Sequence, residues 1–397
     1  MSASTMSLVS FALAGLGLLL VGLQVWALRS HLARPARTAG SLEGISILKP
    51  LCGVDDDLQR NLELFADLDH SRYEVLLGIK DRSDAAWAVA AAAAARWPGR
   101  FRVVLQQGEP GTNPKVNQLI TLARAARHDI LVVSDSNVRV PREYLRDIAA
   151  HLESPEVGLV THPIAGVGER SLGSLLDNLH ITATMSPGTV AAKRIGGKDI
   201  VVGKSMAMRR RDVETMGGFE SVKDVLAEDF VLGVKVSKDL GKRVVMAGLP
   251  VENVNQGRTV GEFLARYTRW CVMQRKIVGP VVYGAQGVLN PVAFALAGAA
   301  LARDAAAFAL LAAVCAAKAA LDGASARALR GGGFAWPMLA LVPVKDLFFA
   351  FAWARGFVQD TVEWRGNRLR VLEGSRLERP GREAEASALA ADPGAAL

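Results

Sequence analysis

Asp135 lies where an apolar, strand-like run ends and small polar residues begin. Residues 130–133 have no alternating polar face, which is typical of a fully buried strand in an α/β sheet. This strand leads into Ser134, Asp135, Ser136 and Asn137. Ligands of open α/β sheets bind at this carboxyl edge, and a carboxylate beside small side chains leaves room for a hydrated divalent cation carrying a phosphate. An ordinary Asp turn is the alternative on this stretch alone.

Two other stretches carry charges suited to phosphate or proton chemistry. The Gly/Pro loop from Gly111 to Lys115 ends in a cation at a helix start, where backbone N–H groups and the lysine can both meet a phosphate, although an ordinary capped turn fits equally. Glu228 and Asp229 begin another helix, where the helix dipole favours acidic side chains. They point about 100° apart, so we expect Glu228 to cap the helix or face solvent and Asp229 to face a cleft.

A third charged group lies in the sequence RYTRW, residues 266–270. Arg266 and Arg269 are three residues apart on one helix face, and Trp270 lies four residues from Arg266. Two guanidiniums on one face match the charge and geometry of a pyrophosphate. A basic helix touching anionic lipid headgroups is the alternative, because a strongly apolar region begins about ten residues later.

The pattern between residues 44 and 255 alternates strand-like and helix-like segments, as in a mostly parallel sheet. Charged residues follow the strand ends, Asp81 among them, which indicates a polar crevice for a nucleotide. Dinucleotide and P-loop glycine motifs do not occur in this region. Residues 180–198 have no clear period and are expected to form a loop, either exposed or against lipid headgroups. We predict strands at 45–48, 75–79, 101–105, 130–133 and within 201–208, and helices at 58–68, 85–97 and 116–127.

Composition places part of the chain in lipid. The chain has 397 residues, is 50% hydrophobic and carries a formal charge of +8. Residues 6–28 are uncharged and long enough to cross a bilayer, and the arginines that follow, from Arg29 to Arg37, indicate that the next domain is cytoplasmic. Three distant cysteines suggest no disulfide framework. The basic residues cluster beside apolar segments, so lipid rather than nucleic acid is the expected acidic partner.

The chain beyond Lys276 returns to apolar segments. Residues 281–302 are long enough to span, 305–321 are shorter, and 334–354 contain Lys345 and Asp346, so this last segment is either a span or an interfacial or re-entrant helix. The number of crossings stays open. We divide the chain into an N-terminal transmembrane helix (1–30), a cytoplasmic catalytic domain (31–280), C-terminal transmembrane or interfacial helices (281–356) and a basic tail (357–397), disordered from about residue 376.

As a set, these motifs resemble the ceramide glucosyltransferases, the membrane glycosyltransferases of family 21, which are similar to family 2. The resemblance rests on ILKPLCGVD, GTNPKVNQL, SDSNVRV, VGKSMAMRR, LAEDF and RYTRW in that order, and it covers residues 44–360. Bacterial hopanoid-modifying glycosyltransferases are similar as well. The resemblance implies an α/β fold of the GT-A type, with a mostly parallel sheet that binds a nucleotide-sugar and transmembrane helices at both ends.

The resemblance also implies roles for individual residues. Asp81 and Asp135 would hold the uridine and, through Mg²⁺ or Mn²⁺ at Asp135, the sugar diphosphate, while Asp229 would be the base of an inverting transfer. The remaining residues expected along the UDP-sugar are Lys115, Arg266, Arg269 and Trp270. Asn137 replaces the second carboxylate of the family's D-x-D motif, so tight metal binding without nucleotide is not expected.

The expected reaction moves a hexose, foremost glucose, from a UDP-sugar to the hydroxyl of a lipid, foremost ceramide, at a bacterial inner membrane. A hopanoid-lipid glycosyltransferase, a polysaccharide synthase and a non-catalytic nucleotide-binding membrane protein remain as alternatives. The sequence indicates neither the sugar and acceptor themselves nor the oligomeric state.

Overall fold

Strands and helices alternate through most of the chain in the computed structural model, which describes residues 2–35, 37, 43–364 and 366–379. The strands are β1 (Ile45–Pro50), β2 (Tyr73–Ile79), β3 (Phe101–Leu105), β4 (Ile130–Ser134), β5 (Val138–Arg139), β6 (Val157–Thr161), β7 (Ile164–Val167), β8 (Ser205–Arg209), β9 (Arg243–Met246), β10 (Val251–Val254), β11 (Thr361–Trp364), β12 (Asn367–Val371) and β13 (Leu377–Glu378). The α-helices are α1 (Ala3–Leu32), α2 (Leu58–Glu63), α3 (Trp87–Arg96), α4 (Pro114–Ala125), α5 (Tyr144–Leu152), α6 (Leu172–His180), α7 (Ser186–Arg194), α8 (Arg210–Thr215), α9 (Glu228–Lys238), α10 (Val260–Val278), α11 (Pro280–Ala285), α12 (Pro291–Ala302), α13 (Ala305–Arg330), α14 (Trp336–Leu339) and α15 (Val342–Val358).

The central sheet has seven strands in the order β3-β2-β1-β4-β8-β6-β9. Strands β3, β2, β1 and β4 are parallel, whereas β8 runs antiparallel to both of its neighbours. Alternate residues of β4 enter different cores: Ile130 packs on the side of α2, α3 and α5, and Leu131 on the side of α4 and α9. Burial on both faces explains why this strand has no polar alternation. The predicted strands and helices of this region are confirmed, with boundaries shifted by a few residues.

The parallel direction of β1, β2 and β4 brings their carboxyl ends to one edge of the sheet. Leu48 of β1 is paired with Val133 of β4, so the residues that follow each strand lie side by side. Strands β5, β10 and β7 form a second, three-stranded sheet that continues from the turn after β4. This edge is therefore the location of the polar crevice that the sequence predicts.

The prediction of a loop at residues 180–198 is wrong for most of that segment, because residues 180–194 are helical. Helix α6 continues into a π-helix, Ile181–Met185, and then into α7, which packs against α1. Ser186 donates to the carbonyl of Ile164, and Thr182 accepts from the N–H of Gly166, so small polar side chains bind the β7 backbone. Buried polar contacts of this kind hide the apolar periodicity that sequence reading relies on.

The described residues include three helices long and apolar enough to cross a membrane, Ala3–Leu32, Ala305–Arg330 and Trp336–Val358. The segment predicted at 281–302 is not one straight helix, since Pro280–Leu289 and Pro291–Ala302 are bent by 77° relative to each other. The break lies at Asn290, whose side chain caps α12 by accepting from the N–H of Ala293 at 3.1 Å. Counted as one span, this bent pair brings the candidate spans among the described residues to four.

A three-stranded antiparallel sheet, β11-β12-β13, occupies part of the predicted basic tail. Val362, Leu369, Val371 and Leu377 pack with Val272 of α10, so alternate residues of the tail are apolar and buried. The prediction of disorder from residue 376 is therefore wrong for 376–379, where β13 forms. Residues 380–397, the rest of that prediction, lie outside the described residues.

Candidate functional site

Asp135 directly follows β4, and its carboxylate is held between two lysines. The Nζ atom of Lys115, from the first turn of α4, lies 2.9 Å from one oxygen, and that of Lys204, just before β8, lies 2.9 Å from the other. Burial alone would raise the pKa of Asp135, but the two ammonium groups outweigh it and hold this pKa well below its usual range. Asp135 is thus a permanently ionised group at the centre of a basic cluster.

Lys49 holds the turn after β4 through two hydrogen bonds. Its side chain is fully buried, and its Nζ donates to the hydroxyl of Ser134 at 3.1 Å and to the carbonyl of Asp135 at 2.8 Å. The same atom lies 3.8 Å from the ring centroid of Phe65. Burial lowers the pKa of Lys49 to about 7, against the opposing effect of the Asp135 carboxylate. A lysine in this position fixes the backbone that presents Asp135.

Glu228 and Asp229 begin α9, as the sequence predicts, but the environment of Glu228 differs from the prediction. Glu228 does not face solvent: it is buried, and its carboxylate lies 2.8 Å from the Nζ of Lys115. The prediction failed here because Lys115 belongs to α4, which only the tertiary fold brings beside α9.

Asp229 accepts hydrogen bonds from two backbone N–H groups, those of Gly203 and Phe230, each at 2.8 Å. Burial, followed by the negative charge of Glu228, raises the pKa of Asp229 to about 6. A Cβ on Gly203 would lie 2.6 Å from the Asp229 carboxylate, so the close approach requires glycine. Asp229 is therefore a carboxylate that titrates close to neutral pH, as a general base does.

Asn137 is held by the protein scaffold. Its amide nitrogen donates to the carbonyl of Val254 at 3.0 Å, and its amide oxygen accepts from the Nζ of Lys204 at 2.9 Å. These bonds tie the turn after β4 to β10. Asn137 thus positions Lys204, and Asp135 is the acidic residue of this turn.

Arg266 lies on α10 and is buried between an acid and an aromatic ring. It donates to Asp177 of α6 at 2.8 Å, and its guanidinium carbon lies 4.7 Å from the ring centroid of Trp270. The hydroxyl of Tyr267 also donates to Asp177, at 2.6 Å. Burial would lower the pKa of Arg266, but Asp177 raises it, with a smaller contribution from Asp135. Arg266 is therefore a fixed cation within electrostatic reach of Asp135.

Arg269 has a contact on the C-terminal side of the chain that differs from the contacts of Arg266. The Arg269 guanidinium lies 3.5 Å from the carbonyl of Glu363 in β11, which packs beside α10. Arg266 and Arg269 thus differ in their contacts, and the pyrophosphate clamp of the two arginines stays a prediction. The C-terminal sheet that provides the partner of Arg269 was not foreseen from the sequence.

Asp81 lies in the turn after β2, at the expected edge of the sheet but in solvent. It accepts from the N–H of Ser83 at 2.8 Å and from its hydroxyl, and these bonds lower the pKa of Asp81. The neighbouring Asp84 joins this turn to the one after β1 by accepting from the N–H of Gly53 at 2.9 Å. Asp81 does not contact Lys115 or Lys204, the lysines beside Asp135, so a uridine role for Asp81 stays a prediction.

Sequence reasoning missed three polar residues of this site: Lys49, Lys204 and Asp177. The first two carry a signal, since each lysine follows an apolar strand-like run and a buried lysine needs a partner. Asp177 lies in a helix with no motif around it, and nothing in its local sequence distinguishes it.

The side chains around Asp135 indicate how a metal ion could bind there. Among residues 2–35, 37, 43–364 and 366–379, no group of three or more His, Cys, Asp or Glu side chains comes together as a metal site. Both oxygens of Asp135 already meet ammonium groups. These residues fit a divalent ion held largely by the phosphate oxygens of a bound nucleotide, with Asp135 as its protein ligand, and do not fit a preformed metal site.

Residues 8–377 match the model of glycosyl transferase family 21. The chain belongs to this family. Ceramide glucosyltransferase 3 of Caenorhabditis elegans is 26% identical over 234 residues, which are 58% of this chain and 50% of that protein. The ceramide glucosyltransferase of Komagataella phaffii is 27% identical over 195 residues, 44% of this chain and 38% of that protein. This family 21 chain thus spans half the length, or less, of these curated relatives.

A mannosyltransferase from Pyrobaculum calidifontis, solved in complex with GDP-Man and Mn²⁺, has a similar structure. The TM-score is 0.50 with 19% sequence identity, over 89% of this chain and 99% of the mannosyltransferase. A likeness at this identity shows a shared fold. The predicted fold class, a GT-A-like α/β domain with a mostly parallel sheet and an apolar N-terminal helix, is confirmed for this family 21 protein.

Proposed function

We propose that this family 21 protein is a membrane-bound inverting glycosyltransferase that moves a hexose from a UDP-sugar to the hydroxyl of a lipid. UDP-glucose is the foremost donor and ceramide the foremost acceptor. The observation that carries the proposal is the position of Asp229, a carboxylate with a raised pKa beside a cluster of buried cations. The ceramide glucosyltransferases among its relatives support the choice of substrates.

Asp229 is the proposed base. With a pKa of about 6, it is mainly ionised at neutral pH and still basic enough to take the proton of an attacking hydroxyl. The N–H groups of Gly203 and Phe230 fix the orientation of its carboxylate. The acceptor oxygen then bonds to the anomeric carbon from the face opposite the diphosphate, whose bond to that carbon breaks.

Three cations are proposed to stabilise the departing diphosphate: Lys115, Lys204 and Arg266. Each is held near Asp135, and fixed cations act strongly in a crevice from which water is excluded. A divalent ion, Mg²⁺ or Mn²⁺, bound at Asp135 would add Lewis-acid neutralisation of the diphosphate charge. Trp270 keeps Arg266 in place through the contact of its ring with the guanidinium.

The proposed location is a bacterial inner membrane, with the catalytic domain in the cytoplasm. Three helices of suitable length and apolarity support membrane insertion, and the arginines from Arg29 to Arg37 support this orientation. The lipid acceptor would reach Asp229 from the side of the membrane helices.

Membranes containing this protein, incubated with labelled UDP-sugars and then extracted for lipids, test the proposal. The donors are UDP-glucose, UDP-galactose, UDP-glucuronic acid and UDP-N-acetylglucosamine, and the acceptors are ceramide, a hopanoid and diacylglycerol. We expect UDP-glucose to label ceramide with inverted configuration at the anomeric carbon, and the Asp229→Asn variant to give almost no product. Transfer only to another lipid would replace the acceptor, a labelled polymer would favour a polysaccharide synthase, and no transfer at all would overturn the proposal.

A further inference from the structure

Asp177 is a buried carboxylate that accepts two hydrogen bonds and forms a further ion pair. The Nη1 of Arg266 and the Nε of Arg258 each lie 2.8 Å from its Oδ2, and the hydroxyl of Tyr267 lies 2.6 Å from its Oδ1. The Asp177 side chain is 0% exposed. Burying a charge is costly unless it is paired and hydrogen-bonded, and this carboxylate meets that condition with cations from α10 and the segment before it.

The group of Asp177, Arg258 and Arg266 carries one more positive than negative charge. This group lies beside the turn that holds Lys204. Arg258 donates to the side chain of Asn255 at 3.3 Å, and Asn137 joins the carbonyl of the preceding Val254 to the Nζ of Lys204. One face of the Arg266 guanidinium is covered by Trp270, so its direction is set by Asp177 and Trp270 together. A guanidinium fixed in this way presents positive charge to the crevice without loss of side-chain entropy on binding.

We propose that Asp177 is a positioning residue for the donor diphosphate: it holds Arg266 so that the guanidinium faces the phosphates of a bound nucleoside diphosphate. This inference rests on the proposed function, because it takes the UDP-sugar as the ligand of the site. Asp177 acts through Arg266 and does not itself contact the nucleotide.

Replacing Asp177 with Asn removes the negative charge but keeps the size of the side chain. Arg266 then loses its charged partner, and Arg258 competes with it for the amide oxygen. We expect the affinity for UDP to fall about 10- to 100-fold, the range for a lost hydrogen bond to a charged group. The affinity for uridine, which has no phosphates, should stay within about twofold. A purely structural defect would weaken both ligands alike.

Asp212→Asn is the matched control. Asp212 is also a buried acid in an ion pair, with the Nζ of Lys242 at 2.6 and 2.7 Å. It lies in α8, directly after the end of β8 that pairs with the start of β4, so it is at the opposite edge of the sheet from Asp135. We expect this variant to lose thermal stability while its ratio of UDP to uridine affinity stays at the wild-type value.

The experiment measures UDP and uridine binding by calorimetry on the full-length chain in detergent. The variants are Asp177→Asn, Arg266→Gln, their double mutant and Asp212→Asn. If Asp177 acts through Arg266, the Arg266→Gln variant and the double mutant have the same UDP affinity. This comparison tests the proposal even if the single Asp177→Asn variant does not fold.

A double mutant clearly weaker for UDP than Arg266→Gln would overturn the role of Asp177. An Asp177→Asn variant with unchanged UDP affinity, or with equal losses for UDP and uridine, would do so as well. Wild-type protein that binds no UDP but binds another nucleoside diphosphate would overturn the proposed donor, and the inference would then be tested with that nucleotide. Wild-type protein that binds no nucleoside diphosphate would overturn both the proposed function and this inference.

Discussion

The Nζ of Lys115 lies 2.8 Å from the carboxylate of Glu228, so the first acid of the acidic pair already has a cationic partner. The second, Asp229, takes its hydrogen bonds from backbone N–H groups instead. Under the proposed function the two adjacent carboxylates have separate tasks: Glu228 holds a cation in place, and Asp229 accepts a proton. This division predicts how the two positions respond to substitution.

Asp229→Asn should slow the chemical step without removing donor binding. The amide keeps the size of the side chain but cannot take the acceptor's proton, so we expect kcat to fall by about 10²–10⁴-fold, the range for a positioned base. UDP affinity should change far less. Single-turnover transfer from labelled UDP-glucose, together with calorimetric UDP binding, measures the two quantities separately.

Glu228→Gln is the companion variant, and it should affect binding more than chemistry. It leaves Lys115 with Asp135 as its remaining acidic partner, so the cluster gains positive charge and UDP should bind at least as tightly. If Glu228→Gln abolished transfer while Asp229→Asn stayed active, the assignment of the base would be reversed. Near-normal transfer by both variants would remove the inverting-base mechanism.

The pH dependence of kcat/KM should have an acid limb near pH 6. Asp229, with a pKa of about 6, is protonated below that pH and cannot act as a base, so the rate rises as pH increases through this value and then levels off. Because the charge of Glu228 contributes to the raised pKa, Glu228→Gln should move the acid limb to lower pH. A limb that stays in place in that variant would show that another group controls it.

The sheet was predictable because its signal is local. The run around Leu131 is apolar on both faces, and the polar residues after it must then lie at the strand end. The position of Asp135 follows from these facts alone. The same reasoning places Asp81 at the same edge, where the structure also has it.

The parts that were missed depend on contacts between distant segments. Glu228 was expected to cap the helix or face solvent, because nothing nearby in sequence shows that Lys115 approaches it. Arg269 was paired with Arg266 by helical spacing, but its partner, Glu363, belongs to a sheet nearly a hundred residues later. The strands of that sheet are short and lie among arginines, so composition concealed their apolar alternation.

Transfer activity should require Mg²⁺ or Mn²⁺ and should fall strongly in Asp135→Ala, because the diphosphate would lose its metal-binding carboxylate. Since Asn137 is bonded to Val254 and Lys204, the protein provides few further ligands, and Mn²⁺ should bind tightly only when UDP is present. Electron paramagnetic resonance of Mn²⁺ with and without UDP measures this. Full activity in excess EDTA would contradict the prediction.

A reporter fused after Gly44 should report a cytoplasmic location. Arg29, Arg34 and Arg37 follow the apolar part of α1, and an excess of arginine retains a flanking segment on the cytoplasmic side. Paired alkaline phosphatase and green fluorescent protein fusions at this position give opposite signals in the two compartments. A periplasmic signal would overturn both the proposed compartment and the proposed donor, since it would place the catalytic domain outside.

Lys345 should be among the residues least tolerant of substitution. The sequence left open whether the Lys345-Asp346 pair prevents this segment from spanning the membrane. In the structure the Nζ of Lys345 is buried, 2.8 Å from carboxylates of both Asp322 and Asp346 and 3.1 Å from the hydroxyl of Thr184. The charges are therefore turned toward α13 and the π-helix, and they do not argue against a span.

Lys345→Met would leave Asp322 and Asp346 buried with one fewer cation, Lys318 being the other. Breaking a buried ion pair by removing one partner costs about 3–5 kcal/mol, so we expect a large drop in the thermal midpoint of the detergent-solubilised protein. Asp67→Asn is the control, because its ion pair with Arg142 at 3.2 Å is exposed on both sides and should contribute less than about 1 kcal/mol. Equal midpoints for the two variants would mean that the buried network does not hold the helices together.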